Sequence, residues 1–308
     1  MAPTLKSVSA TAQRPWDVSV YPFELVQPYL KGMVFGNLEG PLTSKPVHRY
    51  KPKWMRYYFK SPVSEAVGAL KMGGFRVMSV ANNHSMDCGA KGLRESLRAL
   101  DSGDIRAVGA GKDEAEARRP VTLKSVQGGK VTFLAFCAVG PPGTFATKKS
   151  AGAARADEAA ILKAVKAALK PGVPVVVSLH WGIEQQRDLP VVDPLPEQRV
   201  LARRIIDAGA VLVLGHHPHV VNRFEEHGKG LIAYSLGNFL FSGARITDRF
   251  RSVILHVDFD AAGVKKWDLQ PVWIDGPEHP FQPVPMPKAD GRAFLAKLMT
   301  GPYSHYAP

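Results

Sequence analysis

Apolar residues in this chain gather into short β-type runs separated by stretches with helical periodicity, and three of the runs end in similar polar clusters. Residues 75–81 lead into Asn82-Asn83-His84. Residues 173–179 lead into His180-Trp181-Gly182-Ile183-Glu184, and residues 211–214 into Gly215-His216-His217-Pro218-His219. Further strands are predicted at 32–35, 105–108, 121–126 and 131–138, and three runs at 231–234, 253–259 and 266–273 read as antiparallel. A short helix is predicted over 22–30. Ser61-Pro62 opens another, with serine as N-cap and proline at the first helical position. Val63, Val67 and Leu70 form its apolar stripe and Gly73-Gly74 stop it. Residues 92–100, 153–170, 197–208 and 292–299 complete the helices; Pro171-Gly172 and Gly209 end the second and third of these. Residues 45–60 and 276–287 read as loops.

Repeated strand-then-helix alternation predicts one layered α/β domain with a short appendage. The expected division is an N-terminal remnant at 1–20, a main domain at 21–260, and a C-terminal strand and Pro-rich tail at 261–308. In an open α/β sheet the loops at the carboxyl ends of the strands lie side by side and form the ligand crevice. The three polar clusters would therefore meet. Imidazole nitrogens, amide oxygens and carboxylates in one place suit a divalent transition metal.

Composition narrows the setting. The chain has 308 residues, 45% of them hydrophobic, enough to bury a large core. Residues 1–20 lack the apolar core of a secretory signal, and no run is long enough to span a bilayer. As written, the chain is expected to be soluble and cytoplasmic, or extracytoplasmic if an upstream signal or anchor was lost with the N-terminus. Only two cysteines occur, Cys88 and Cys137, so a disulfide framework is not expected. The formal net charge of +13 favours anionic partners such as phosphate compounds or polyglutamate. The basic residues are scattered and no recognition module is visible, which argues against nucleic acid.

Each cluster has a functional and a plainer reading. In an extended segment residues i and i+2 point the same way, so His217 and His219 would share a metal or bracket a pair, with His216 facing away. Pro218 between them fixes the backbone. The plainer reading is a polar turn. Asn82-Asn83-His84 with Asp87 is either an oxygen ligand beside a proton donor or a turn and helix-capping network. His180 is a ligand or a satisfied core histidine. Glu184 orients a ligand histidine from behind or is a solvated charge. Glu39 bridges metals or caps a loop. Residues 234–239 read as a strand and turn packed beneath the site.

Asn37-Leu38-Glu39-Gly40-Pro41-Leu42-Thr43, Ser79-Val80-Ala81-Asn82-Asn83-His84 with Asp87 and Gly89, Ser178-Leu179-His180-Trp181-Gly182 with Glu184, Gly215-His216-His217-Pro218-His219-Val220 and Tyr234-Ser235-Leu236-Gly237-Asn238-Phe239 resemble one known motif series. It is that of the CapA family, named for capsule and poly-γ-glutamate biosynthesis and similar in fold to calcineurin-like metallophosphoesterases. The resemblance runs from about Tyr21 to Phe259. It implies a four-layer α/β/β/α sandwich with one or two divalent transition metal ions (Mn, Fe or Zn) at the loop edge. Glu39 then takes the place of a bridging acid and Asn83 that of an asparagine ligand. His180, His217 and His219 match the imidazole ligands, and His84 the histidine facing the substrate's developing charge. Asp87 is a second candidate acid.

One departure stands out. The family opens with a strand ending in Gly-Asp, and none precedes Tyr21 here; Asp17 lies too close to replace it. Either the coding frame begins upstream, or a ligand and an edge strand are lost. Three functions are compatible with these residues: a metal-dependent hydrolase of phosphoester or γ-glutamyl bonds, a non-catalytic accessory module that binds an anionic polymer beside capsule-synthesis partners, and a metal-assisted isomerase acting next to a carbonyl.

Overall fold

The computed structural model describes residues 21–46, 58–125, 128–184, 193–241, 251–274, 279 and 281–299. The N-terminal segment 1–20, much of the loop expected at 45–60, part of that at 276–287 and the end of the C-terminal tail lie outside these residues. Among the described residues fourteen strands and six helices follow in chain order. They are β1 (Val34–Asn37), α1 (Val63–Met72), β2 (Phe75–Ser79), α2 (Gly89–Ser102), β3 (Arg106–Val108), β4 (Ala110–Gly111), α3 (Glu114–Ala117), β5 (Val121–Lys124) and β6 (Lys130–Cys137). After them come β7 (Gly152–Ala153), α4 (Glu158–Ala168), β8 (Val175–His180), α5 (Pro196–Asp207) and β9 (Leu212–His216). The last are β10 (Phe224–His227), β11 (Gly230–Ala233), β12 (Arg251–Asp260), β13 (Gly263–Trp273), β14 (Val284–Pro285) and α6 (Lys288–Met299).

Two sheets carry the architecture. One is parallel, in the order β1-β2-β3; the other has six strands in the order β10-β11-β9-β8-β6-β5. Side-chain alternation sorts the core into layers. Along β6, Phe133 and Ala135 face the first sheet, while Leu134 and Phe136 face the helices. Val77 on β2 joins the inter-sheet core, whereas Met78 turns outward to Leu70 of α1 and Leu100 of α2. Ile161 of α4 and Ile205 of α5 cover the far face of the six-stranded sheet. The Phe35 and Phe133 rings stack across the inter-sheet gap at 5.7 Å. The result is the α/β/β/α sandwich, α1 and α2 on one side and α4 and α5 on the other.

Several elements differ from the sequence reading, each for a local reason. Ser61 does not cap α1: it bridges to Leu42, and Pro62 holds the N-cap position with extended backbone. Residues 153–157 are not helical, because Gly152–Ala153 pairs with β4 and Asp157 caps α4 through the Ala160 amide. Residues 22–30 form two 3-10 turns, with Pro22 and Pro28 in the turns themselves. The strand at 230–233 is antiparallel to β10 but parallel to β9, so it extends the main sheet. Strands β12 and β13 form the expected antiparallel pair. Both cysteines are buried. Among the described residues no helix is long and apolar enough to cross a membrane.

Candidate metal centre

Strands β1, β2, β8 and β9 belong to the two parallel systems, and all four end at the same edge of the sandwich. Glu39 follows β1 by two residues. Asn83 and His84 follow β2, His180 is the last residue of β8, and His217 and His219 follow β9. Ligand atoms of Glu39, His217 and His219 lie within 4.8 Å of one another. Glu39 Oε1 is 3.7 Å from His180 Nε2 and 3.7 Å from His219 Nε2. The His180 and His217 ring centres are 4.8 Å apart. Glu184 does not belong to the close set: it is half-buried at the end of a described segment, after the exposed Ile183.

The histidine turn is not the extended segment expected from sequence. Residues 217–220 form a bend, and His217 and His219 have φ of +101° and +61°. Their rings converge through left-handed backbone instead of strand alternation. L-residues other than glycine rarely adopt such angles, and the cost is tolerated mainly at functional sites. His216 ends β9 and is buried beside Phe35, its Nε2 without a hydrogen-bond partner.

A second set of contacts orients the acid. Asn37 Nδ2 donates to Glu39 Oε2 at 3.3 Å, which leaves Oε1 buried and without a hydrogen bond. Asn82 Nδ2 in turn donates to Asn37 Oδ1 and to the Leu38 carbonyl, at 3.3 and 2.8 Å. On the other side His219 Nδ1 lies 2.8 Å from Asn238 Oδ1. Asn37 and Asn238 stand within the quoted motifs, yet the sequence reading assigned them no part in the site; Asn82 entered it only as a member of the Asn82-Asn83-His84 cluster.

His84 and Asp87 form a buried pair. Asp87 Oδ2 meets His84 Nδ1 at 2.8 Å and accepts the Phe59 amide at 2.7 Å. Asp87 is fully buried and holds the imidazole through Nδ1. The Phe59 ring covers His84 with centres 4.3 Å apart. Asn83 Oδ1 sits 2.8 Å from His180 Nε2.

Burial favours the neutral form of His180, His216 and His217. Burial, reinforced by the neighbouring His219 and His84, pushes His217 down to about 3. His180 is lowered well below the ordinary value by burial and by His217, His216, His219 and His84. Neutral imidazoles are what a metal needs. Metal–ligand bonds of about 2.0–2.2 Å at ordinary coordination angles put ligand atoms about 3.0–3.6 Å apart. The 3.7 Å separations around Glu39 Oε1 are close to that. The unpartnered Oε1 and His217 Nδ1, in a mixed nitrogen and oxygen donor set, fit a divalent transition metal.

Glu39, His217 and His219 line one cleft of about 2180 Å³ that continues between β1 and β12. Four lysines and four carboxylates line it, so the protein's positive charge is not concentrated there.

The chain is similar to known proteins in sequence and in fold. The chain is 37% identical over 227 residues to the capsule biosynthesis protein CapA of Bacillus anthracis, covering 72% of this chain and 54% of the relative. It is 32% identical over 268 residues to the PGA biosynthesis protein CapA of Bacillus subtilis, covering 86% and 67%. The chain thus spans about half to two thirds of these relatives. Among solved structures, a phosphatase from Mycoplasma pneumoniae shares the fold with a TM-score of 0.51 at 8% identity, over 85% of this chain and 89% of that one. The model of the bacterial capsule synthesis protein family PGA_cap matches residues 5–243, and the chain belongs to that family.

Proposed function

We propose that this protein is a metal-dependent hydrolase of the capsule and poly-γ-glutamate biosynthesis type, acting on a phosphoester or γ-glutamyl bond. The observation that carries the reading is the pairing of two unlike groups at one strand edge. One is a buried carboxylate oxygen without a hydrogen bond, facing imidazoles at 3.7 Å. The other is the His84–Asp87 pair, whose imidazole lies close enough to depress the basicity of His180 and His217.

Glu39, Asn83, His180, His217 and His219 would hold the ion. A bound divalent metal supplies Lewis acidity and brings the pKa of a coordinated water toward neutrality. The remaining work falls to the chain. Asp87 accepts from His84 Nδ1, which fixes the ring and leaves Nε2 to exchange a proton with the leaving group. Phe59 closes one side of His84 and limits water there.

The experiment is a paired measurement on purified protein: metal content, and turnover of a generic phosphodiester and a γ-glutamyl amide. His217→Ala should lose metal and turnover together. His84→Ala should keep metal and thermal stability and lose about two to four orders of magnitude in rate. Metal equal in wild type and His217→Ala would refute the site. Tight metal without turnover of either substrate would favour the accessory-module reading.

A further inference from the structure

We infer that Asn238 is a positioning residue that fixes the tautomer and aim of His219, an inference that rests on the metal-dependent reading of the site. Its carboxamide oxygen lies 2.8 Å from His219 Nδ1. A carboxamide oxygen only accepts, so Nδ1 carries a proton, and of the two neutral tautomers this selects the one with its lone pair on Nε2. That nitrogen faces Glu39 Oε1 at 3.7 Å. Two acceptors aimed at one another call for a cation between them.

The chain spends several contacts on placing this amide. Val221 and Leu236 form an antiparallel bridge next to the histidine turn. Ser235 Oγ donates to the Val220 carbonyl at 2.7 Å and accepts the Gly237 amide at 3.2 Å. Gly237 then turns with φ of +72°; a Cβ there would press on the Val221 nitrogen at 3.1 Å. Asn238 follows immediately, so its register against His219 is set by the backbone on both sides.

A purely structural role explains the residue poorly. Asn238 is 8% exposed, and its Nδ2 is buried without a hydrogen-bond partner. An unpaired buried amide destabilises a fold, whereas a leucine of similar shape would carry no such penalty. Orienting a ligand imidazole through its other nitrogen is the function that offsets the loss.

The test compares Asn238→Leu, which removes the acceptor, with Asn238→Asp, which keeps one. Zn²⁺ affinity would be measured on the 308-residue chain by competition with a fluorescent chelator. Ring ¹⁵N shifts of the metal-free, histidine-labelled protein would report the tautomer. Asn238→Leu should weaken zinc about 10- to 100-fold and lose the Nδ1–H signature of His219; Asn238→Asp should restore both. Unchanged affinity in Asn238→Leu, or equal weakening in both variants, would overturn the inference while leaving the metal site standing. Wild-type affinity no better than that of His217→Ala would instead bring down the metal-dependent reading, and this inference with it.

Discussion

His217 shows how far a residue's chemistry and its backbone can pull apart. Its φ of +101° is uncomfortable for any side chain with a Cβ, yet the ring is needed where that angle puts it. The strain can be measured apart from the lost contacts by comparing two truncations. His217→Gly and His217→Ala both remove the imidazole, but only glycine accepts the angle. We expect the glycine variant to be the more stable by about 1–2 kcal/mol in urea unfolding of the metal-free protein. Equal midpoints would mean the turn is not strained. Donor identity was readable from sequence because histidine and acid clusters after apolar runs are rare. The left-handed turn was not, since alternation in an extended segment also brings i and i+2 together. The supporting asparagines were hidden for a different reason: their value depends on partners such as Glu39 and His219, brought close only by the fold.

At the scale of elements, β9 and β11 run closer than most side chains allow. A Cβ added to Gly215 would collide with the Tyr234 carbonyl oxygen and meet the Trp181 indole nitrogen at 2.7 Å. Those two groups already bond each other at 3.0 Å, and the Leu236 amide bonds the Gly215 carbonyl at 3.1 Å. The glycine therefore fixes the spacing of the strand that launches the histidine turn. Gly215→Ala should destabilise the protein by about 1–3 kcal/mol through overpacking and reduce metal content, read by urea unfolding and elemental analysis. A variant with unchanged metal would show that the turn keeps its geometry independently of β9. The strands of this core were legible because both faces of β8 and β9 are buried, which gives continuous apolar runs. Direction was harder: residues 230–233 sit one tight turn after β10, and only the fold shows that their other edge joins β9 in parallel.

For the whole molecule, burying several neutral imidazoles ties stability to pH. Burial lowers His216 to about 4 and His217 to about 3, both from an ordinary value near 6.5, and His180 is lowered as well. Above pH 6.5 neither the folded nor the unfolded chain protonates these rings. Between about 6.5 and 4 the unfolded chain takes up protons that the folded one refuses, so acidification favours unfolding. Each ring contributes a slope of at most about 1.4 kcal/mol per pH unit. The metal-free protein should therefore lose urea resistance steadily from pH 6.5 to pH 4. His216→Gln, which removes a ring outside the Glu39, His217 and His219 set, should flatten that slope by up to one histidine's share and leave metal binding near wild type. A slope unchanged by His216→Gln would mean that this ring gains a proton in the folded state as readily as in the unfolded one. An accompanying loss of metal would place His216 among the ligands. The sequence already set His216 apart from the His217 and His219 pair; what it could not show is the packing of that ring on Phe35, away from the two that face Glu39.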